Sequence, residues 1–233
     1  MTTRVKIPSA EDGTEIDAVI TYEGKNTGEG VPAIIISHPY GPLGGSIVNN
    51  VVQSLHKYFS SKDYVTASFN FRGAGRSGGR TSWTGMPERQ DYIAVMNHLF
   101  NSNTYPTISS IIICGYSFGS MIAGSITPPA DIPSRYLLIS YPLSVMWALT
   151  SFHSTFFKEQ VMQRIDSAND AISGPMLFVM GDRDQFTGLG ALKKWIADKA
   201  TERTTLAVVP DGDHFWFGKE DTLIQIIDSW LQQ

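Results

Sequence analysis

What the chain is short of narrows its function first. One cysteine, Cys114, among 233 residues leaves no internal disulfide and no cysteine-built zinc cluster. Long apolar runs are missing too. The longest, AIIIS at 33–37 and SSIIICG at 109–115, fall far below the roughly 20 residues that span a bilayer. The first twenty residues, MTTRVKIPSAEDGTEIDAVI, hold no apolar segment of the secretory kind. Positive charge is not in excess either. Eighteen Lys and Arg against 22 Asp and Glu give a formal net charge of −4, with no basic cluster to face phosphates. The expectation is a soluble, cytoplasmic protein without a transmembrane segment, whose partner is not nucleic acid. Oligomeric state leaves no mark in the sequence.

What is present is alternation. Short β-branched runs at 31–38, 64–71, 109–115, 136–141, 175–181 and 205–210 read as strands. Their continuous apolar character points to burial on both faces, as in a parallel sheet. Helical patterns lie between them at 46–62, 87–101, 121–126, 189–200 and 221–233. Pro87 followed by Glu88 suits a helix start. Residues 4–8 and 15–23 read as an antiparallel edge hairpin around Asp12-Gly13. Strands and helices in this order give an α/β fold, with a mostly parallel sheet covered on both sides and an antiparallel N-terminal edge. One domain over 1–233 is expected.

The segment 144–173 breaks the rhythm, with Val145, Leu149, Phe152 and Phe156 at helical spacing. It reads either as a crossover helix packed on the sheet or as a small lid. In the second case Trp147, Phe152, Phe156 and Phe157 line an apolar acyl pocket, to which Phe215 also belongs.

Two stretches match G-x-S-x-G, the pattern of a turn that exposes a nucleophilic serine: 75–79 (GRSGG) and 115–119 (GYSFG). The first overlaps a G-x-G-x-x-G match at 73–78. A dinucleotide loop needs a helix directly after the glycines, so that its N-terminal amides hold the pyrophosphate. Here GGRTSWTG intervenes before Pro87, and the nearest acids, Glu88 and Asp91, fall in the helix itself. Ser77 fails the nucleophile test for the same reason, having loop on both sides. Ser117 passes. It stands directly between a buried strand and a helical segment, which is what the elbow geometry requires.

At this point the chain resembles the α/β-hydrolase family over nearly its whole length. His38-Pro39-Tyr40-Gly41 is similar to the family's His-Gly oxyanion loop, with Pro39 where glycine is usual. Asn70 to Ser77 resembles its structural Arg-Gly-x-Gly-x-Ser turn. The family's Ser…acid…His order places the base after the last strand, and His214 in PDGDHFWF occupies that position. His56, His98 and His153 read as surface or packing residues, and His38 as a brace for the oxyanion turn. The acid is expected in GDRD after the preceding strand. The family spacing selects Asp184, and a shifted turn would exchange it for Asp182. Asp211 and Asp213 are too close to His214 in sequence. Cys114 reads as inert core.

The resemblance implies a serine hydrolase acting on a small-molecule ester, or a thioester, through an acyl-enzyme. Ser117 is then the nucleophile, His214 the base, and Asp184 the orienting acid. The amides of Phe118 and Tyr40 form the oxyanion hole, since Pro39 has no N–H to give. No metal or organic cofactor is implied. The rivals are a peptidase or amidase with the same machinery and a catalytically silent binding protein on the same fold.

Overall fold

The structure, a computed structural model, describes residues 1–24, 30–166, 174–197 and 202–233. Its strands, in chain order, are β1 (Thr2–Pro8), β2 (Glu15–Thr21), β3 (Val31–Ser37), β4 (Val65–Phe69), β5 (Ile108–Tyr116), β6 (Ser134–Ile139), β7 (Met176–Gly181) and β8 (Thr204–Val209). The alternation of side chains along the central strands decides the layering. On β3, Ala33 and Ile35 enter one buried cluster while Ile34 and Ile36 enter another. On β5, Ile111 and Ile113 oppose Ile112 and Cys114 in the same way. Successive residues of a strand point to opposite faces, so a strand apolar on both must be covered on both.

The sheet runs β1-β2-β4-β3-β5-β6-β7-β8. β2 pairs antiparallel with β1 and with β4, and every other pairing is parallel. One face is covered by α2 (Met86–Asn101), α3 (Phe118–Gly124), α5 (Ser154–Asp166) and α6 (Leu189–Ala197). The other carries α1 (Asn50–Ser61) and α7 (Glu220–Leu231). Asn49 caps α1, its side chain accepting from the Val51 N–H at 3.0 Å. This is the expected mostly parallel α/β sheet with an antiparallel N-terminal edge. Among the described residues no helix is long and apolar enough to cross a membrane.

Two elements differ from the sequence reading. α3 begins at Phe118, three residues before the helical pattern at 121 becomes visible, because the chain turns into the helix immediately after Ser117. The 144–173 segment is not one helix. It holds a four-residue α4 (Met146–Leu149) and then α5, separated by a turn in which Ser151 has φ 51°. α5 buries Phe157, Val161 and Ile165 in the core, as a crossover helix does. The remainder of this segment, 167–173, and the last residues of the helix expected over 189–200 lie outside the described residues.

Candidate active site

The strand β5 ends and the helix α3 begins within one residue, and that residue is Ser117. Its backbone sits at φ 55°, ψ −120°, a conformation that costs an L-residue energy and persists only where surroundings enforce it. They do so here. The Ser117 N–H donates to Ile139 of β6 at 2.8 Å, and its carbonyl accepts from the Ser120 N–H at 2.9 Å. The flanking glycines are steric necessities: a Cβ on Gly115 would lie 2.1 Å from the Gly119 carbonyl oxygen. One on Gly119 would lie 2.6 Å from that of Ser37.

The turn after β8 brings His214 to this serine. Nε2 lies 2.8 Å from Ser117 Oγ, and Nδ1 lies 2.7 Å from Asp184 Oδ2. Asp184, from the loop after β7, is locked in place by its other oxygen, which accepts from the amides of Phe186 at 2.8 Å and Thr187 at 3.0 Å. A proton on Nδ1 shared with the carboxylate leaves Nε2 free to accept from the serine hydroxyl. Of the two candidate acids, it is therefore Asp184 that meets the imidazole. Asp182 is exposed at the surface. Asp211 pairs with Arg183, and Asp213 caps its own turn by accepting from Phe215 and Trp216 amides at 2.9 and 3.1 Å.

The loop after β3 passes beside the elbow, where the rings of Tyr40 and Phe118 pack 5.3 Å apart. Neither of their amides donates to a protein acceptor among the described residues. His38 supports this loop from beneath. Its Nε2 accepts from the Phe71 N–H at 2.9 Å, and its Nδ1 faces the Pro39 carbonyl at 2.5 Å. Complete burial pushes its pKa down to about 4, so the ring stays neutral with the proton on Nδ1. Gly45 closes the loop tightly; a Cβ there would lie 2.0 Å from the Pro39 carbonyl oxygen.

These groups open into a cavity of about 450 Å³. Its walls are Leu43, Trp83, Val145, Ala148, Leu149, Phe186 and Phe215, and no charged side chain lines it among the described residues. Phe215 was expected there. Trp147, Phe152, Phe156 and Phe157 were also expected and do not line it. Trp147 is 69% and Phe152 98% exposed, while Phe156 packs edge-on against the buried Phe157 at 5.2 Å. The break at 150–153 resets the helical phase, so Phe152 and Phe156 leave the face on which α4 presents Ala148 and Leu149 to the cavity. Trp83 and Phe186 were missed because each sits on an irregular loop with no periodicity to read.

Elsewhere, the other serine pattern, at 75–79, stands apart from the cavity. Ser77 Oγ donates to the Asn70 carbonyl at 2.6 Å and accepts from the Asp17 N–H at 2.9 Å. The overlapping glycine loop is closed on itself, the Gly73 N–H donating to the Gly78 carbonyl at 2.8 Å. Cys114 is fully buried, and burial pushes its thiol well up. His56 is held between the Thr21 and Ser68 hydroxyls at 2.9 and 3.0 Å. No group of three or more His, Cys, Asp or Glu side chains is placed to hold a metal ion among the described residues.

Comparison with known proteins places this arrangement in context. The family model described as an alpha/beta hydrolase domain matches residues 33–223. An uncharacterized protein of Rickettsia prowazekii is 24% identical over 211 residues, covering 89% of this chain and 81% of its own length. An alpha-beta serine hydrolase homologue from Coxiella burnetii superposes with a TM-score of 0.71 at 22% identity, over 97% of this chain and 94% of that one. An esterase from Pyrococcus furiosus gives 0.75 at 18% identity, over 99% and 90%.

Proposed function

The chain belongs to the alpha/beta hydrolase family, and from that premise we propose that it is a serine hydrolase that cleaves a carboxylic ester, or a thioester of similar size. At these identities the likeness to solved structures speaks for the fold. The chemistry rests on one observation, the unbroken chain Ser117 Oγ–His214 Nε2 at 2.8 Å and His214 Nδ1–Asp184 Oδ2 at 2.7 Å, set at the wall of an apolar cavity.

In this reading Ser117 Oγ attacks the ester carbonyl while His214 Nε2 takes the hydroxyl proton. Asp184 holds the imidazole in the tautomer that can accept it and stabilises the imidazolium that forms. The negative charge on the former carbonyl oxygen meets the free amides of Phe118 and Tyr40, and each such donor is worth about 10²–10³ in rate. His214 then returns the proton to the departing alcohol or thiol. Water, activated by the same imidazole, hydrolyses the acyl-serine.

The uncharged cavity favours a neutral acyl group, and its size favours a short or medium one. A panel of p-nitrophenyl esters of increasing chain length tests this. We expect turnover that peaks at short or medium acyl groups and disappears in Ser117→Ala. A peak at long-chain esters contradicts the size argument. Absence of turnover across the panel contradicts the ester reading.

A further inference from the structure

Two hydrogen bonds at the site take no part in the chemistry just described. The main-chain N–H of His214 donates to Gln185 Oε1 at 3.0 Å, and its carbonyl accepts from the Tyr116 hydroxyl at 2.5 Å. Tyr116 immediately precedes Ser117, and Gln185 immediately follows Asp184. The sequence neighbour of each of the other two residues thus grips one main-chain group of the histidine. We infer that Tyr116 and Gln185 are positioning residues, which fix the distance from the His214 imidazole to Ser117 Oγ by pinning the histidine's peptide groups. The inference rests on the proposed reading of the site.

The physical case begins with the loop. His214 lies in an irregular turn between β8 and α7, where Asp211, Trp216 and Gly218 all have positive φ. No ladder of sheet or helix bonds holds the main chain of His214, so its peptide groups depend on side chains for partners. An imidazole is joined to the backbone by two rotatable bonds. With both main-chain groups tied, Nε2 has little room to drift. With either one free, the peptide group on that side of His214 loses its partner and Nε2 gains room to shift.

Tyr116 suits the task. It is 1% exposed, and its ring lies 5.7 Å from the imidazole at a 34° tilt. Burial, reinforced by the nearby Asp184 and Asp213 charges, pushes its phenol well above the ordinary value, so the hydroxyl remains a donor throughout the working pH range. That donor is already committed to the histidine, which excludes it from holding the oxyanion. Tyr116 also borders the cavity. A role in substrate binding would therefore appear in KM, whereas a role in placing the base appears in kcat.

The test uses Tyr116→Phe, Gln185→Leu and Gln185→Glu in the full chain. Two rates are read: hydrolysis of a short-chain p-nitrophenyl ester, and covalent labelling of Ser117 by a fluorophosphonate. Misplacement of a catalytic group by about 1 Å can cost roughly 100-fold. We expect Tyr116→Phe to lower kcat and the labelling rate together by about 10- to 100-fold, with KM within about threefold. Gln185→Leu should lose a smaller factor in both rates, and Gln185→Glu, which keeps an acceptor oxygen, should recover most of it. Gln185 lies at the surface, so its variants decide the matter should Tyr116→Phe fail to fold. A parent protein that is not labelled at Ser117 overturns the proposed function and this inference with it. A labelled parent whose variants react at the parental rate, or change only in KM, overturns the positioning role alone.

Discussion

The chain writes G-x-S-x-G twice, and the two copies have opposite fates. At 75–79 the serine hydroxyl is spent on the main chain, donating to Asn70 and accepting from Asp17. Around it, the Arg72 guanidinium bridges the buried Asp91 of α2 and Asp12 of the N-terminal hairpin. The loop is a clasp. At 115–119 the serine sits on a strained backbone with its hydroxyl 2.8 Å from an imidazole and a cavity in front of it. The difference lies in the flanks. A strand running straight into a helix leaves no room for the turn to fold back on its own side chain, so the hydroxyl projects outward. A loop of several residues does have that room, and it consumes its hydroxyl internally.

The largest expected contrast is catalytic. Ser117→Ala should lower kcat by roughly 10⁴–10⁶, the scale of losing a triad nucleophile. Steady-state kinetics on a reactive ester reads it, and a loss below tenfold would contradict the assignment. Next comes the backbone. Gly119→Ala places a methyl 2.6 Å from the Ser37 carbonyl oxygen and 2.7 Å from that of His38, main-chain atoms that cannot rotate away, whereas on Gly78 it would meet nothing closer than 3.7 Å. We expect Gly119→Ala to lose about 3 kcal/mol in urea unfolding and Gly78→Ala to stay within about 0.5 kcal/mol. Equal losses would mean that the two loops are equally constrained.

A third effect joins the loops, since His38 sits under the loop after β3 and accepts from the Phe71 N–H, just before the first pattern. Buried and neutral, it has its pKa pushed down to about 4. Below pH 6.5 the unfolded chain takes up a proton that the folded chain refuses. Stability therefore falls as pH drops from 6.5 toward 4 and is indifferent to this group above 6.5. From pH 7 to pH 5 the loss from His38 is about 2 kcal/mol. His56, also held near 4 by burial, adds a change of the same sign. A urea midpoint that stays level from pH 7 to pH 5 would contradict this. Last comes Ser77→Ala, which strips a partner from the Asp17 N–H and the Asn70 carbonyl. It should cost about 1–2 kcal/mol of stability and leave kcat within about threefold.

How much of this could be read from sequence follows from how local the cause is. The sheet was legible because burial on both faces writes continuous apolar runs, as in β3 and β5. Ser117 was legible because it directly follows the end of β5, whereas Asp184 and His214, three and five residues past the ends of β7 and β8, were reached through the order and spacing of the family the chain resembles. The cavity walls were not. Val145, Ala148 and Leu149 border the cavity as their spacing allows, but the turn at 150–153 takes Phe152 and Phe156 off that face, and a spacing that runs smoothly from Val145 to Phe156 hides that turn. The grips on His214 were hidden for another reason. Tyr116 and Gln185 are separated from it by 98 and 29 residues, and nothing in a local pattern announces a side chain whose partner is a distant peptide group.

Flanking structure, and not the five-residue pattern, separates Ser117 from Ser77. A fluorophosphonate probe followed by peptide mapping tests it most directly, because the reagent bonds only to a hydroxyl with a base beside it. A single adduct is expected, on Ser117, with Ser77 unmodified in the same sample. An adduct on Ser77, or an unmodified Ser117 in folded protein, would contradict it.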